Sequence, residues 1–334
     1  VNRATGPKVV AFGGGHGLSA SLSALRQVTP RLTAVVTVAD DGGSSGVIRN
    51  ELDMVPPGDL RMALAALSGS DEDSRLWARV CQHRFGGGGT LAGHPVGNLL
   101  LTGLSQVTDD PVVALDMVGR LLGAVGRVLP LSVHPIEIIA DVAGLDPDDP
   151  DAVQEVRGQV AVATTPGQVV GVRLDPPSVD ACPQAVDAVL DADWVVFGPG
   201  SWFTSVIPHL LVPDMRKALM ETRARRVVAM NMSPQDGETE GFSPETHLEV
   251  FGAHAPDLSV DVVLAARRAL ESGRPSLQTA AKSLGAELVV AHLGNDQSIP
   301  THDPDRLAAA YRSILTEPAR AADVSTAEGE SVWP

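Results

Sequence analysis

A short apolar run, Lys8-Val9-Val10-Ala11-Phe12, ends in Gly13-Gly14-Gly15-His16-Gly17, after which Leu18, Leu22 and Leu25 repeat at helical spacing. An apolar run without polar alternation suits a strand buried on both faces of a parallel sheet. Strand, glycine turn and helix in succession aim helix N-terminal amides at a phosphate. The pattern recurs at once: Leu32 to Val38 is a second apolar run, and it leads through Asp40 and Asp41 into Gly42-Gly43-Ser44-Ser45-Gly46. Two such units in a row predict an α/β chain with a Rossmann-like, doubly wound, mainly parallel sheet.

The stretch after the second run is chemically loaded. Acids, hydroxyls and glycines follow one another as bare loop, and a second turn, Pro56-Pro57-Gly58, presents Asp59 and Arg61 at the start of a helix, with Asp59 as its expected N-cap. Glycines let backbone amides approach a ligand and small hydroxyls add donors; packing needs neither. The ligand-binding candidates here are Gly14, Gly15, His16, Gly17, Asp40, Asp41, Gly43, Ser44, Ser45, Asp59 and Arg61. Asp40 stands where dinucleotide folds keep a carboxylate for a ribose hydroxyl. Asp40 and Asp41 together could hold Mg²⁺ against a diphosphate, since hard oxygen ligands suit that ion; they could equally bind a ribose or cap neighbouring amides. Arg49 and Arg61 are candidate phosphate clamps, against structural ion pairs with Glu51 or Asp53. Leu18 occupies the place of the third glycine of the dinucleotide fingerprint, which disfavours an NAD-dependent enzyme.

Further along, His94-Pro95-Val96-Gly97-Asn98 opens an apolar helix and adds Asn98 to the candidates. From about 127 to 175 the period changes to two, over Val128 to Val133, Ile136 to Val142, Val156 to Thr164 and Val169 to Leu174, which reads as a β-rich insertion on the parent sheet. Trp194 to Phe197 then runs into Gly198-Pro199-Gly200-Ser201, with Thr204 and Ser205 close behind, and Val227 to Met230 runs into Asn231. Loops at the carboxyl ends of parallel strands converge on one crevice, so Gly198, Pro199, Gly200, Ser201, Thr204, Ser205 and Asn231 complete the set. Residues 1–316 read as one domain, and 317–334, small, polar and acidic, as a disordered tail.

Composition excludes several classes. A net charge of −16 argues against general binding of nucleic acid or anionic membrane. Cys81 and Cys182 form no C-x-x-C pair, and His247 and His254 lack zinc-site spacing. There is no Ser–His–Asp elbow and no Walker loop, so no covalent mechanism is indicated and the catalytic residues stay unassigned. Without a signal peptide or an apolar run of about 18 residues, the expectation is a soluble, cytoplasmic protein.

Taken together, GGGHGLSASL at 13–22, VTVADDGGSSG at 36–46, PPGDLR at 56–61, HPVGNLLL at 94–101, FGPGSWFTSVIPHLLVP at 197–213 and NMSPQDGETEGF at 231–242 resemble the gluconeogenesis-factor (YvcK-type) family of the phospholactate transferase (CofD-like) superfamily. His16 departs from the threonine common at its position. The resemblance implies a regulator that binds UDP-sugars, notably UDP-N-acetylglucosamine, with no cofactor required, and that links carbon metabolism to envelope synthesis and cell shape. The alternative it implies is a Mg²⁺-dependent transferase acting on a nucleoside-diphosphate-activated substrate. It further implies control by a Ser/Thr kinase, for which Ser325 and Thr326 of the tail are the accessible hydroxyls; a homo-oligomer is left open.

Overall fold

The computed structural model describes residues 6–235, 238–270, 274–295 and 301–316. Its frame is a seven-stranded sheet in the order β10-β9-β8-β7-β1-β2-β3, with every pairing parallel. The strands are β1 (Val9–Gly13), β2 (Leu32–Val36), β3 (Arg127–Pro130), β7 (Trp194–Phe197), β8 (Arg225–Ala229), β9 (Val262–Ala266) and β10 (Glu287–Ala291). The central strands are buried along their whole length, which is why they read as continuous apolar runs. From β1 the chain winds outward to β2 and β3, then returns beside β1 as β7 and winds the other way. The strand order therefore reverses between β1 and β7, the place where an open α/β sheet leaves a crevice at its carboxyl edge.

Helix α1 (Gly15–Leu25) joins β1 to β2, and five helices, α2 (Gly43–Leu52), α3 (Gly58–Leu67), α4 (Glu72–Gln82), α5 (Val96–Thr108) and α6 (Pro111–Leu121), join β2 to β3. Between β3 and β7 lie an antiparallel sheet of β4 (Glu137–Ala143), β5 (Val153–Arg157) and β6 (Gln168–Asp175), the short α7 (Gln159–Ala163), and α8 (Pro183–Leu190). Next come α9 (Pro208–Leu211) and α10 (Pro213–Glu221) before β8, α11 (Pro244–His254) and α12 (Arg274–Ser283) on either side of β9, and finally α13 (Pro304–Leu315). Helix α13 lies on α1, where Tyr311 is buried and its hydroxyl meets Ser21 Oγ at 2.8 Å.

Several local expectations change. Arg127–Pro130 pairs with β2 as an edge of the main sheet, so the β-rich insertion begins at Glu137 and not near 127. The run 156–164 breaks at Gly158 into the end of β5 and the start of α7. The stretch expected as bare loop after Asp41 is already helical from Gly43. Asp59 is not an N-cap: Pro57 holds that position and Asp59 lies in the first turn. The segment after Gly200 winds into a π-helical turn, Trp202–Val206. The expected tail, 317–334, lies outside the described residues.

Candidate active site at the sheet switch point

The crevice between the ends of β1 and β7 encloses about 520 Å³. Gly14, Gly15, His16 and Gly17 form one wall, Pro199, Gly200, Ser201 and Ser205 the other, and the Asn231 segment with His302 closes a third side. The two glycine loops touch: a methyl group on Gly17 would lie 2.4 Å from both Gly200 Cα and Pro199 O, so only glycine fits. Helix α1 starts at this contact with no side-chain cap and no acidic residue in its first turn. Its first amides have no intrahelical acceptor, and the helix field there favours an anion. His16 is exposed on the same turn.

The opposite wall is braced by its own side chains. Asn231 holds Gly200 by two bonds of 2.8 Å, accepting from its amide and donating to its carbonyl. Glu238, 3% exposed, accepts from the amides of Phe203 (2.7 Å) and Thr204 (2.9 Å) and from the Ser201 hydroxyl, which also contacts Thr204 Oγ1. Burial pushes the Glu238 carboxyl up despite these donors. Asn231, Ser201 and Thr204, expected to meet ligand, brace the wall, and Asn231 and Ser201 also line the crevice. Ser205 differs: its Oγ has no partner among the described residues and lines the crevice.

The acidic residues are rearranged relative to the sequence reading. Asp41 turns away from the crevice and accepts from Val160 N at 2.9 Å, capping α7 from outside, so it ties the insertion to the frame. The carboxylate that faces Asp40 is Asp59. A methyl group on Gly58 would lie 2.7 Å from Asp40 Oδ2 and 2.3 Å from Ser45 Oγ, and one on Gly14 would lie 2.5 Å from Asp59 Oδ2 and 3.1 Å from Ser205 Oγ. Asp40 also accepts from Gly42 N at 2.9 Å. Burial, and then the facing Asp40, push Asp59 up to about 7; a hydrogen bond with Gly15 and the charge of Arg61 pull the other way. Asp59 does not itself line the crevice but stands behind its Gly14 wall, and a carboxyl that titrates near neutrality there can hold or release a proton.

Beyond Asp59, Arg61 Nε donates to Asn98 Oδ1 at 2.8 Å, Asn98 Nδ2 donates to Ser44 Oγ at 3.0 Å, and Ser44 Oγ meets His94 Nδ1 at 2.8 Å. None of these four residues lines the crevice. Gly43 is exposed at the start of α2, with no contact assigned to it. Arg49 makes no ion pair among the described residues; it donates to the Ala39 carbonyl at 3.4 Å. His302 was not anticipated: it lines the crevice and burial pushes it down to about 4. Nothing in its sequence surroundings marks it, because it arrives from the far end of the chain. No group of three or more His, Cys, Asp or Glu able to hold a metal occurs among the described residues, and none of their helices is long and apolar enough to cross a membrane.

Comparison with known proteins agrees with this architecture. The family model described as 2-phospho-L-lactate transferase CofD matches residues 9–292. A Mycobacterium tuberculosis protein whose name, gluconeogenesis factor, is provisional is 53% identical over 326 residues, 97% of this chain and 95% of its own length. A Listeria innocua protein named gluconeogenesis factor without that qualification is 38% identical over 264 residues, 79% of each chain. The crystal structure of BH3568 from Bacillus halodurans, 33% identical, has a TM-score of 0.81 and covers 94% of this chain and 100% of its own. Another structure of it, described as a member of the UPF0052 family, has a TM-score of 0.80. The chain belongs to the gluconeogenesis-factor branch of the CofD-like family.

Proposed function

We propose that the crevice binds the diphosphate of a nucleotide sugar of the UDP-N-acetylglucosamine kind, and that the protein acts in the cytoplasm as a regulator linking carbon metabolism to envelope synthesis and cell shape. The observation that carries this reading is the start of α1, whose Gly15 amide meets Asp59 but whose His16 and Gly17 amides have no intrahelical acceptor, set against Gly200 across a contact that admits no Cβ. Such a cradle offers amides and no lysine, which suits a diphosphate in a chain of net charge −16. Regulation by a Ser/Thr kinase at Ser325 or Thr326 belongs to the same reading; both residues lie outside the described ones. A thermal-shift panel of UDP-N-acetylglucosamine, GDP, NAD and inorganic phosphate tests it. A ligand at about 100 times its dissociation constant adds about 2.7 kcal/mol. UDP-N-acetylglucosamine should give the largest rise and NAD little or none; the reverse order contradicts the reading.

A specific observation favours a second reading, the Mg²⁺-dependent transferase: Asp59 sits beside the diphosphate cradle with its carboxyl raised to about 7. Asp40 and Asp59 are the two carboxylates that would hold Mg²⁺, an ion commonly bound by one or two carboxylates together with substrate phosphates. When bound, the ion would neutralise charge on the diphosphate. Asp59 would take the proton of an acceptor hydroxyl at its Oδ2, and the α1 amides would orient the phosphates. Release of a nucleotide in a substrate screen, dependent on Mg²⁺ and abolished by Asp59→Asn, would favour this reading over the regulator.

A further inference from the structure

Arg61 is placed where an unpaired cation is costly. It is 5% exposed and its Nε is satisfied by Asn98, while Nη1 and Nη2, which have no acceptor among the described residues, keep contact with solvent. Burial and the neighbouring Arg84 weaken its hold on its proton, while Asp59 and Asp40 support the charge without reaching it as ion pairs among the described residues. A guanidinium mostly withdrawn from water, with solvent as the only partner of its terminal nitrogens, is held at a cost. A planar oxyanion that takes both nitrogens at once offsets that cost.

The surroundings are of matching sign. Helix α2 starts at Gly43 and α5 at Val96, both without a side-chain cap and without an acid in the first turn. Their first turns meet through the bond from Asn98 to Ser44 Oγ. Ser44 Oγ in turn holds His94 Nδ1, which in a consistent hydrogen assignment leaves a proton on Nε2. Arg84 is exposed nearby, anchored by Nη1 to the Gly93 carbonyl at 2.7 Å. Two arginines and two helix N-termini thus surround one spot, with Asp40 and Asp59 between it and the glycine crevice.

We propose that this spot is a second oxyanion subsite, separate from the crevice, and that it takes the phosphate or carboxylate of a second ligand that Asp40 and Asp59 face from the nucleotide side. The subsite does not depend on which nucleotide fills the crevice, or on whether one does.

The test titrates inorganic phosphate, and separately acetate, into the full chain, followed by thermal shift and, for phosphate, by ³¹P line broadening. Binding should be saturable for at least one of the two, and the one that binds identifies the oxyanion. Arg61→Gln should weaken it about tenfold or more, the loss of a charge-assisted pair. Arg84→Ala, on an exposed side chain, should weaken it by a smaller factor with the fold unchanged, and it decides the matter if Arg61→Gln does not fold. Saturating phosphate should leave the UDP-N-acetylglucosamine affinity within about twofold, since the two loci are separate. Absence of binding by both anions, displacement of phosphate by the nucleotide one for one, or wild-type binding by folded Arg84→Ala would each overturn the proposal. Failure of UDP-N-acetylglucosamine to bind would count against the nucleotide reading alone.

Discussion

Asp59→Asn should stabilise the free protein above neutral pH while impairing its site. The half-buried Asp59 carboxyl is raised from 3.8 to about 7 by burial and by Asp40. A raised acid binds its proton more tightly folded than unfolded, so between about pH 4 and 7 stability falls as pH rises, and the full penalty applies above 7. At about 1.4 kcal/mol for each tenfold change in proton affinity, the ceiling is about 4 kcal/mol. Solvent contact and salt reduce it, and about 1–2 kcal/mol is the expected gain. Asparagine can still accept from the Gly15 amide, so the local fold is kept. The assay is urea unfolding of both proteins at pH 5 and pH 8. His209 and His302, pushed down to about 4 by burial, give the opposite slope between about pH 4 and 6.5, so the wild-type profile alone is not diagnostic. The difference between the two proteins is: it should favour Asn at pH 8 and shrink to about half of that or less at pH 5. A variant equally or less stable than wild type at pH 8 would refute the electrostatic account of Asp59.

Other positions give independent checks. Glu238→Ala leaves two buried amides without acceptors, at about 1–3 kcal/mol each, whereas Glu238→Gln keeps an acceptor for both; urea unfolding should rank Ala well below Gln, and equal stabilities would remove Glu238 as the brace of the Gly200 wall. Gly17→Ala forces a methyl group against the Gly200 backbone, an overpacking cost of about 1–3 kcal/mol; calorimetry of the folded variant should show weakened nucleotide binding, and unchanged affinity would place the ligand elsewhere. Deleting residues 317–334 should leave UDP-N-acetylglucosamine affinity unchanged in vitro, and abolished binding would mean that this segment completes the site.

The frame was legible because buried parallel strands write themselves as apolar runs, and because glycines mark where backbones meet. Gly13 to Gly17 and Gly198 to Gly200 were identifiable for that reason; Gly14 to Gly17 meet Pro199 and Gly200 in one crevice, while Gly198 is not among the residues that line it. Strand β9 was not read: Val262–Ala266 runs on from Val260 and into Arg267 without a glycine turn to announce it. The acidic pair misled for a geometric reason. Adjacent residues leaving a strand point to opposite sides, so Asp41 went to α7 and Asp59, eighteen positions beyond Asp41, came to face Asp40. The fates of Ser201, Thr204 and Asn231 depended on partners that spacing does not reveal, Glu238 and the Gly200 backbone. Arg61 stood out in the sequence as a polar residue at a helix start, but its burial and its bond to Asn98 belong to tertiary structure.

The central claim, that the crevice between β1 and β7 holds a nucleotide diphosphate, is tested most directly by a crystal structure of the protein with UDP-N-acetylglucosamine. The diphosphate oxygens should lie about 3 Å from the His16 and Gly17 amides, with Ser205 Oγ within reach. An adjoining apolar cleft of about 340 Å³, lined by Trp202 and His247, shares the Asn231 wall. A nucleotide whose phosphates sat in that cleft, with the α1 amides uncontacted, would contradict the account.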